Sequence, residues 1–291
     1  MSGVATNRTN ITLPVDVSQE IMQKTQEGSA IMKLANQIAL PGRGAAINVI
    51  TSDPQASWVS ETGTKPVSNP GLATKIMRAY KLAVIVPFSN EFKRDVTALY
   101  DALVQRLPKA LAEKFDATVF GNGDKPGDDF DNFANVTKQS LASDAYGGLV
   151  AADTDIAIHG GLTNGYAISP QMKGVLLSAL DKNDRPLFIN SVAEGAIPMI
   201  LGNPTYLTKA AFISGNPSVV GIVGDWTQAM YGTVEGVQIS LADQATLYVD
   251  AEHSINLFQQ NMFAVRAEIE VGFRADTSVF NALTATGVPS L

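Results

Sequence analysis

No cysteine occurs anywhere in the 291 residues, which excludes disulfides, thiolate metal sites and cysteine nucleophiles. Any unusual stability would therefore come from packing or assembly. Histidine is nearly as scarce. His159 in DIAIHGG and His253 in DAEHS have no partner at a ligand spacing such as H-x-x-x-H, and a structural or solvent-exposed place for both is the simpler reading. Basic charge is also short: 21 Lys and Arg stand against 28 Asp and Glu, a net charge of −7, so contact with nucleic acid would be weak or local. The longest apolar runs, such as LAVIVPF at 82–88, fall far short of the ~20 residues that span a bilayer. The chain opens without a basic segment leading into an apolar one, so no membrane is expected and synthesis is expected in the cytosol.

Familiar catalytic signatures are missing too. The glycine-rich GNGDKPGDDFDN, with Asp124, Asp128, Asp129 and Asp131, lacks both the G-x-x-x-x-G-K-S/T cradle for phosphate and the ordered D-x-D-x-D-G ligands of a calcium loop. Helix termination followed by a solvated loop accounts for it, with low-affinity divalent binding as the alternative. There is no G-x-S-x-G elbow or dinucleotide fingerprint, and the carboxylates are scattered. No catalytic residue, cofactor site or metal site is expected.

What is present is a folded chain. Apolar residues make up 45% and charged residues 17%, enough for a core of one large domain or two smaller ones. Residues 1–20 read as an extended arm, and VSQEIMQKTQEGSAIMKLANQI as a short helix broken near Gly28. PGRG at 41–44 marks a turn. AAINVIT (45–51) and ATKIMRAYKLAVIVPF (73–88) read as strands, the second with Ile76, Arg78, Tyr80, Leu82, Val84 and Val86 on one face. Between them lies WVSETGTKPVSNPG, 58–71, too long for an ordinary connection. A two-stranded arm with this segment at its far end is the simplest geometry. Its surroundings hold too few apolar residues to bury Trp58 locally, so Trp58 is assigned to burial in a partner, where tryptophan is enriched. Packing on its own subunit is the rival reading.

Beyond Pro87 the period changes. Phe92, Val96, Leu99, Leu103, Leu107, Leu111, Phe115 and Val119 recur every three or four residues, predicting a helix from an N-cap at Ser89 to about Phe120, kinked at Pro108. The region 140–235 alternates strands and helices: DIAIHGG and YAIS as strands, then a helix capped by Ser169 with Pro170 first and KNDRP (182–186) stopping it. Trp226 and Tyr231 read as core. Beyond Gly221 the chain is strand-rich and closes on FAVRAEIEVGFRAD, whose alternation predicts a strand with one buried and one wet face, paired back against the helical region.

Four stretches in this order, PQASWVSETGTKPVSNP, KLAVIVPFSNEFKRD, GDWTQAMYG and LFQQNMFAVRAEIEVGFRADTSVFNAL, resemble the major capsid protein family of tailed bacteriophages with the Hong Kong 97-type fold. The resemblance covers about 40–291. It implies an α+β subunit: an N-terminal arm and short helix (1–44), an extended β-hairpin loop (45–86), a peripheral domain with a long spine helix (87–139), a mixed α/β axial domain (140–235) and return strands closing the peripheral domain (236–291). It further implies a structural, non-enzymatic protein that self-assembles through hexamers and pentamers into an icosahedral shell around double-stranded DNA, touched by weak non-specific contact. Portal and scaffolding partners, and residence in the virion after assembly in the host cytoplasm, follow from it. The candidate intersubunit contacts are Trp58, Glu61, Lys65, Arg78, Tyr80 and Arg94.

Two features depart from common versions of that family. No long charged helical segment precedes residue 40 as a fused scaffold, so scaffolding is expected as a separate protein or as a leader absent from this chain. Some relatives form Lys–Asn isopeptide bonds; Lys65 lies in the arm and Asn256, Asn261 and Asn281 come late, but no local feature marks a crosslinking pair. The alternatives are an encapsulin-type nanocompartment shell and a soluble α/β enzyme.

Overall fold

The computed structural model describes residues 15–42, 44–52, 56–61, 64–65, 67, 71–91, 96–179, 199–248 and 253–288. Two helices open it, α1 (Val15–Gly28) and α2 (Ala30–Leu34). The break expected near Gly28 falls at Ser29, whose hydroxyl caps α2 by accepting from the Met32 amide. Residues 15–20 are helical rather than extended, because Ile21 packs into the core at the start of the next turn and draws the preceding turn with it.

After β1 (Asn36–Ala39) the chain enters β2 (Ala45–Ser52) and returns in β3 (Gly71–Met77), an antiparallel pair in which Ala45 faces Met77. Among the described residues β2 and β3 pair with no other strand. The single run expected from 73 to 88 is two strands. It breaks at Arg78 and Ala79, and β4 (Tyr80–Ser89) leaves the arm for a larger sheet.

That sheet is organised by its last long strand, β14 (Met262–Ala275). On one side β14 pairs with β4 from Met262 to Val271; on the other it pairs in tandem with β11 (Gln238–Ala242) and β10 (Ala229–Thr233), and β1 adds parallel to β10. The expected helix follows as α3 (Val96–Phe120), 25 residues and about 38 Å long, one element through Pro108. Ser89 ends β4 instead of capping α3, and Phe92 lies outside the described residues.

Alpha-helix α3 joins two cores. Its Leu103, Leu107 and Leu111 pack with Ile21 against Phe263, Val265, Ala267 and Ile269 of β14. Each such leucine contributes about 1.5–3 kcal/mol by leaving water. One turn on, Phe115 and Val119 enter the larger core. The i, i+4 stripe therefore docks the helix on both units.

The larger core lies under a six-stranded sheet ordered β5 (Thr137–Ser140), β15 (Phe280–Ala285), β9 (Ser218–Gly224), β6 (Gly165–Ile168), β8 (Asn203–Leu207) and β7 (Met199–Ile200). Helix α4 (Ala145–Ile158) buries Leu149, Ala152 and Ile156, and α5 (Pro170–Leu177) begins with the expected Ser169 cap and Pro170. DIAIHGG is thus the end of a helix, not a strand. Asp144 caps α4 and the stripe at 145, 149, 152 and 156 outweighs the short local alternation. KNDRP lies outside the described residues. Trp226 and Tyr231 are buried as expected; Trp226 donates from Nε1 to the Gly165 carbonyl and stands edge-on to Phe133 and Phe280.

The closing segment divides between the two sheets. Strand β14 packs on α3 as anticipated, but β15 crosses into the six-stranded sheet, between β5 and β9. Phe280, Ala282 and Leu283 are apolar and fully buried there, which only a central strand with both faces covered allows. A small hairpin, β12 (Thr246–Tyr248) with β13 (Ser254–Asn256), precedes β14.

Candidate functional site

The arm carries the most exposed large hydrophobic side chain of the described residues. Trp58 is completely exposed, Val67 nearly so and Val59 partly, while Glu61 and Lys65 stand in solvent beside them. A lone two-stranded ribbon is marginal in water, and an indole left wet forgoes roughly 1.5–3 kcal/mol of burial. Among the described residues nothing of its own subunit covers Trp58.

The other candidates are at the root of the arm or outside the described residues. Arg78 Nε lies 3.1 Å from Asp129 Oδ2 of its own chain. Tyr80 is half-buried, its ring edge-on to Phe130 at 6.2 Å. Both have partners within the subunit, because the chain turns inward at 78–80 to join β14. Arg94 lies outside the described residues.

The sequence reading missed a cluster at this root. The GDDFD loop, expected to be solvated, holds Asp129 and Asp131 largely covered. Arg274, expected on a wet face, is only 12% exposed: Nη2 donates to Asp129 Oδ1 at 2.9 Å, Nη1 to Asp131 Oδ1 at 2.8 Å, and Nε to the Ile76 carbonyl at 2.8 Å. Lys75 donates to the Ala275 carbonyl at 3.1 Å. These partners lie 143 to 200 residues apart in sequence, so periodicity could not join them. The available signal was Arg274 following Gly272 at the end of an alternating strand.

A second missed group is Asp116 of α3, 1% exposed. Its carboxylate accepts from the Ser29 hydroxyl and from the amides of Ala30, at 2.8 Å, and Ile31, at 3.4 Å, so it caps α2 from a neighbouring helix. Burial pushes its pKa up to about 6 against these donors and the charge of Lys33.

The expected chemistry-bearing residues do not converge. His159 ends α4, its ring Nδ1 2.8 Å from the Asp155 carbonyl, and His253 precedes β13. Among the described residues no three of His, Cys, Asp and Glu could hold a metal ion, and no helix is long and apolar enough to cross a membrane. Asn281 is fully buried and donates to the Ala152 carbonyl, which removes it as a crosslinking partner for Lys65.

An exposed indole on an unsupported ribbon, rooted by charge in a two-core body, defines a subunit built to be completed by other chains. The comparisons give that class its family. A profile described as "Phage capsid family" matches residues 9–278, and the chain belongs to that family. It is 27% identical over 290 residues to the "Probable major capsid protein gp17" of Mycobacterium phage D29, covering 94% of this chain and 89% of that protein. It is 24% identical over 285 residues to the "Major capsid protein" of Staphylococcus phage 80alpha, covering 94% and 84%. Among solved structures, a chain of Microbacterium phage Oxtober96 superposes with TM-score 0.71 at 20% identity over 98% of this chain and 95% of that one. A chain from the "Capsid of native GTA particle computed with C5 symmetry" gives TM-score 0.62 at 16% identity, over 98% and 95%. The protein is a structural component of a phage capsid shell, a virion protein that associates with itself, and the encapsulin reading is not favoured.

Proposed function

We propose that this chain is the major subunit of an icosahedral phage head, in which each arm lies across a neighbouring copy and buries Trp58 there. The observation that carries the reading is the arm itself: strands β2 and β3 pair only with each other among the described residues, and the arm presents a wholly exposed tryptophan. Exposed apolar surface on an edge-bearing ribbon is a liability for a monomer and is removed in a closed shell, where every copy supplies cover for the next. Glu61 and Lys65 flank the indole and supply polar contacts at the rim of that interface.

In this reading the six-stranded unit gathers around five-fold and six-fold axes, and the α3–β14 unit forms the periphery. Portal and scaffolding proteins direct closure in the host cytoplasm. Packaged double-stranded DNA is enclosed with weak non-specific contact, consistent with a net charge of −7. The role is mechanical, with no catalytic step.

The test replaces 57–71 with a short Gly-Ser turn. Unassembled subunits should keep their cooperative melt while closed particles disappear from electron micrographs. Normal particles from this variant would remove the arm from the account.

A further inference from the structure

We infer that Arg274, with Asp129, Asp131 and Lys75, is the positioning device of the arm: it replaces a backbone ladder with side-chain bonds and so fixes the direction in which the arm leaves the body.

Strand β14 continues to Ala275, but its partner β4 begins at Tyr80 opposite Val271, so among the described residues no strand pairs with that edge of β14 from Gly272 to Ala275. Its polar groups are satisfied by other means. The Phe273 carbonyl accepts from the Asp131 amide at 3.1 Å, the Ala275 amide donates to Asp131 Oδ2 at 3.2 Å, and the Ala275 carbonyl accepts from Lys75 Nζ. In return Arg274 Nε donates to the Ile76 carbonyl. Lys75 and Arg274 thus exchange side-chain-to-backbone bonds across the gap where β3 has peeled away from β14.

The guanidinium then spends its remaining donors on one loop. The planar fork holds Asp129 and Asp131 together, with a further bond from Nη1 to the Asp128 carbonyl at 3.3 Å. Asp129 Oδ2 reaches on to Arg78, at the junction between arm and sheet. A chain of charge runs from β14 through the acidic loop to the hinge residue of the arm.

Local backbone geometry supports the same function. A Cβ on Gly272 would stand 2.5 Å from the Arg78 carbonyl oxygen, and Gly44, at φ +86°, would place one 2.6 Å from the Met77 carbonyl oxygen. The chain leaving β3 therefore passes β14 at a distance that only glycine at 272 permits, and the two strands of the arm close on each other at its base as tightly, at Gly44. The root is closely fitted, while Trp58 beyond it is exposed.

Leverage makes the fit matter. The eight residues of β2 run about 26 Å at ~3.3 Å per residue, so a loosening of roughly 10° at the root moves the far end by about 4 Å. A displacement of that size would take an indole out of a pocket on another copy.

The inference rests on the proposed role of the arm only for its consequence in assembly, and its test keeps the two apart. The absence of native cysteine allows spin labels at Ser60→Cys near the arm tip and Lys114→Cys on α3 of the unassembled full chain, read by double electron–electron resonance. Arg274→Gln and Asp129→Asn should each broaden the distance distribution, the former by about 4 Å or more on the leverage above. Arg266→Gln, on the same strand but paired with Glu268, should leave it unchanged. An unchanged width in Arg274→Gln, or equal broadening in Arg266→Gln, overturns the inference. If Arg274→Gln loses its cooperative melt, Asp129→Asn decides, since the bonds given above for its carboxylate are to Arg78 and Arg274 alone, and an unchanged width there overturns the inference as well. Broadening accompanied by normal shell assembly upholds the positioning role and refutes the proposed use of the arm.

Discussion

Replacing Asp116 by alanine tests the junction between the first helices and α3, and it does so with a sign. The side chain is buried and accepts from Ser29, Ala30 and Ile31, so the substitution leaves two amides and a hydroxyl without an acceptor in a dry site. An orphaned buried donor costs about 1–3 kcal/mol, and the longer Ile31 bond weighs least, so the loss is about 3 kcal/mol. Against it stands the cost of keeping the carboxyl ionised there. Burial raises its pKa from 3.8 to about 6, and at about 1.4 kcal/mol per pH unit this amounts to about 3 kcal/mol above pH 6. Because the folded pKa lies above the unfolded one, the stabilising contribution is fully present below about 3.8 and is lost as pH rises through about 6. Asp116→Ala is therefore expected to cost about 2–3 kcal/mol at pH 4 and close to nothing, on the order of 0 kcal/mol, at pH 7.5. Urea unfolding of unassembled native and variant subunits across this range measures the difference. A cost that stays flat, or grows with pH, would show that the three donors and not burial govern the carboxyl.

Two further substitutions probe the larger core. Trp226→Ala should destabilise the unassembled subunit by about 3–5 kcal/mol in the same assay, since it empties the space beside the Phe133–Phe280 pair and removes the indole donor to the Gly165 carbonyl. Gly224→Ala should cost about 1–3 kcal/mol, because the added methyl would press on the Phe280 ring across the β9–β15 pair, and a melt indistinguishable from the native one would contradict that packing.

The sequence made the arm legible for a physical reason: Trp58 sits in a stretch with no apolar periodicity, and such a residue has no local means of burial. The stripe of α3 and the Ser169–Pro170 start of α5 were legible because helix periodicity and caps act within a few residues. What local patterning could not give was the destination of strands. The break at Arg78 and Ala79 is set by the end of the β4–β14 pairing, and β15 joins β5 and β9 from over 50 residues away. Arg274 was hidden for the same reason. Its place in an alternating strand assigns it to water, and only the acidic loop more than 140 residues earlier covers it. The helix α4 was misread because three apolar residues at its end, Ile156 to Ile158, mimic a strand when read without the cap at Asp144.

The central claim is that the tip of the arm is buried by another copy of this chain, and the two tryptophans allow it to be measured. Trp226 is already buried in the subunit, so the acrylamide quenching that separates the native chain from Trp58→Phe reports Trp58 alone. The account predicts that this difference is large in unassembled subunits and vanishes in closed shells, with a blue shift of the emission. Closed shells in which Trp58 remains as quenchable as in the free subunit would contradict it.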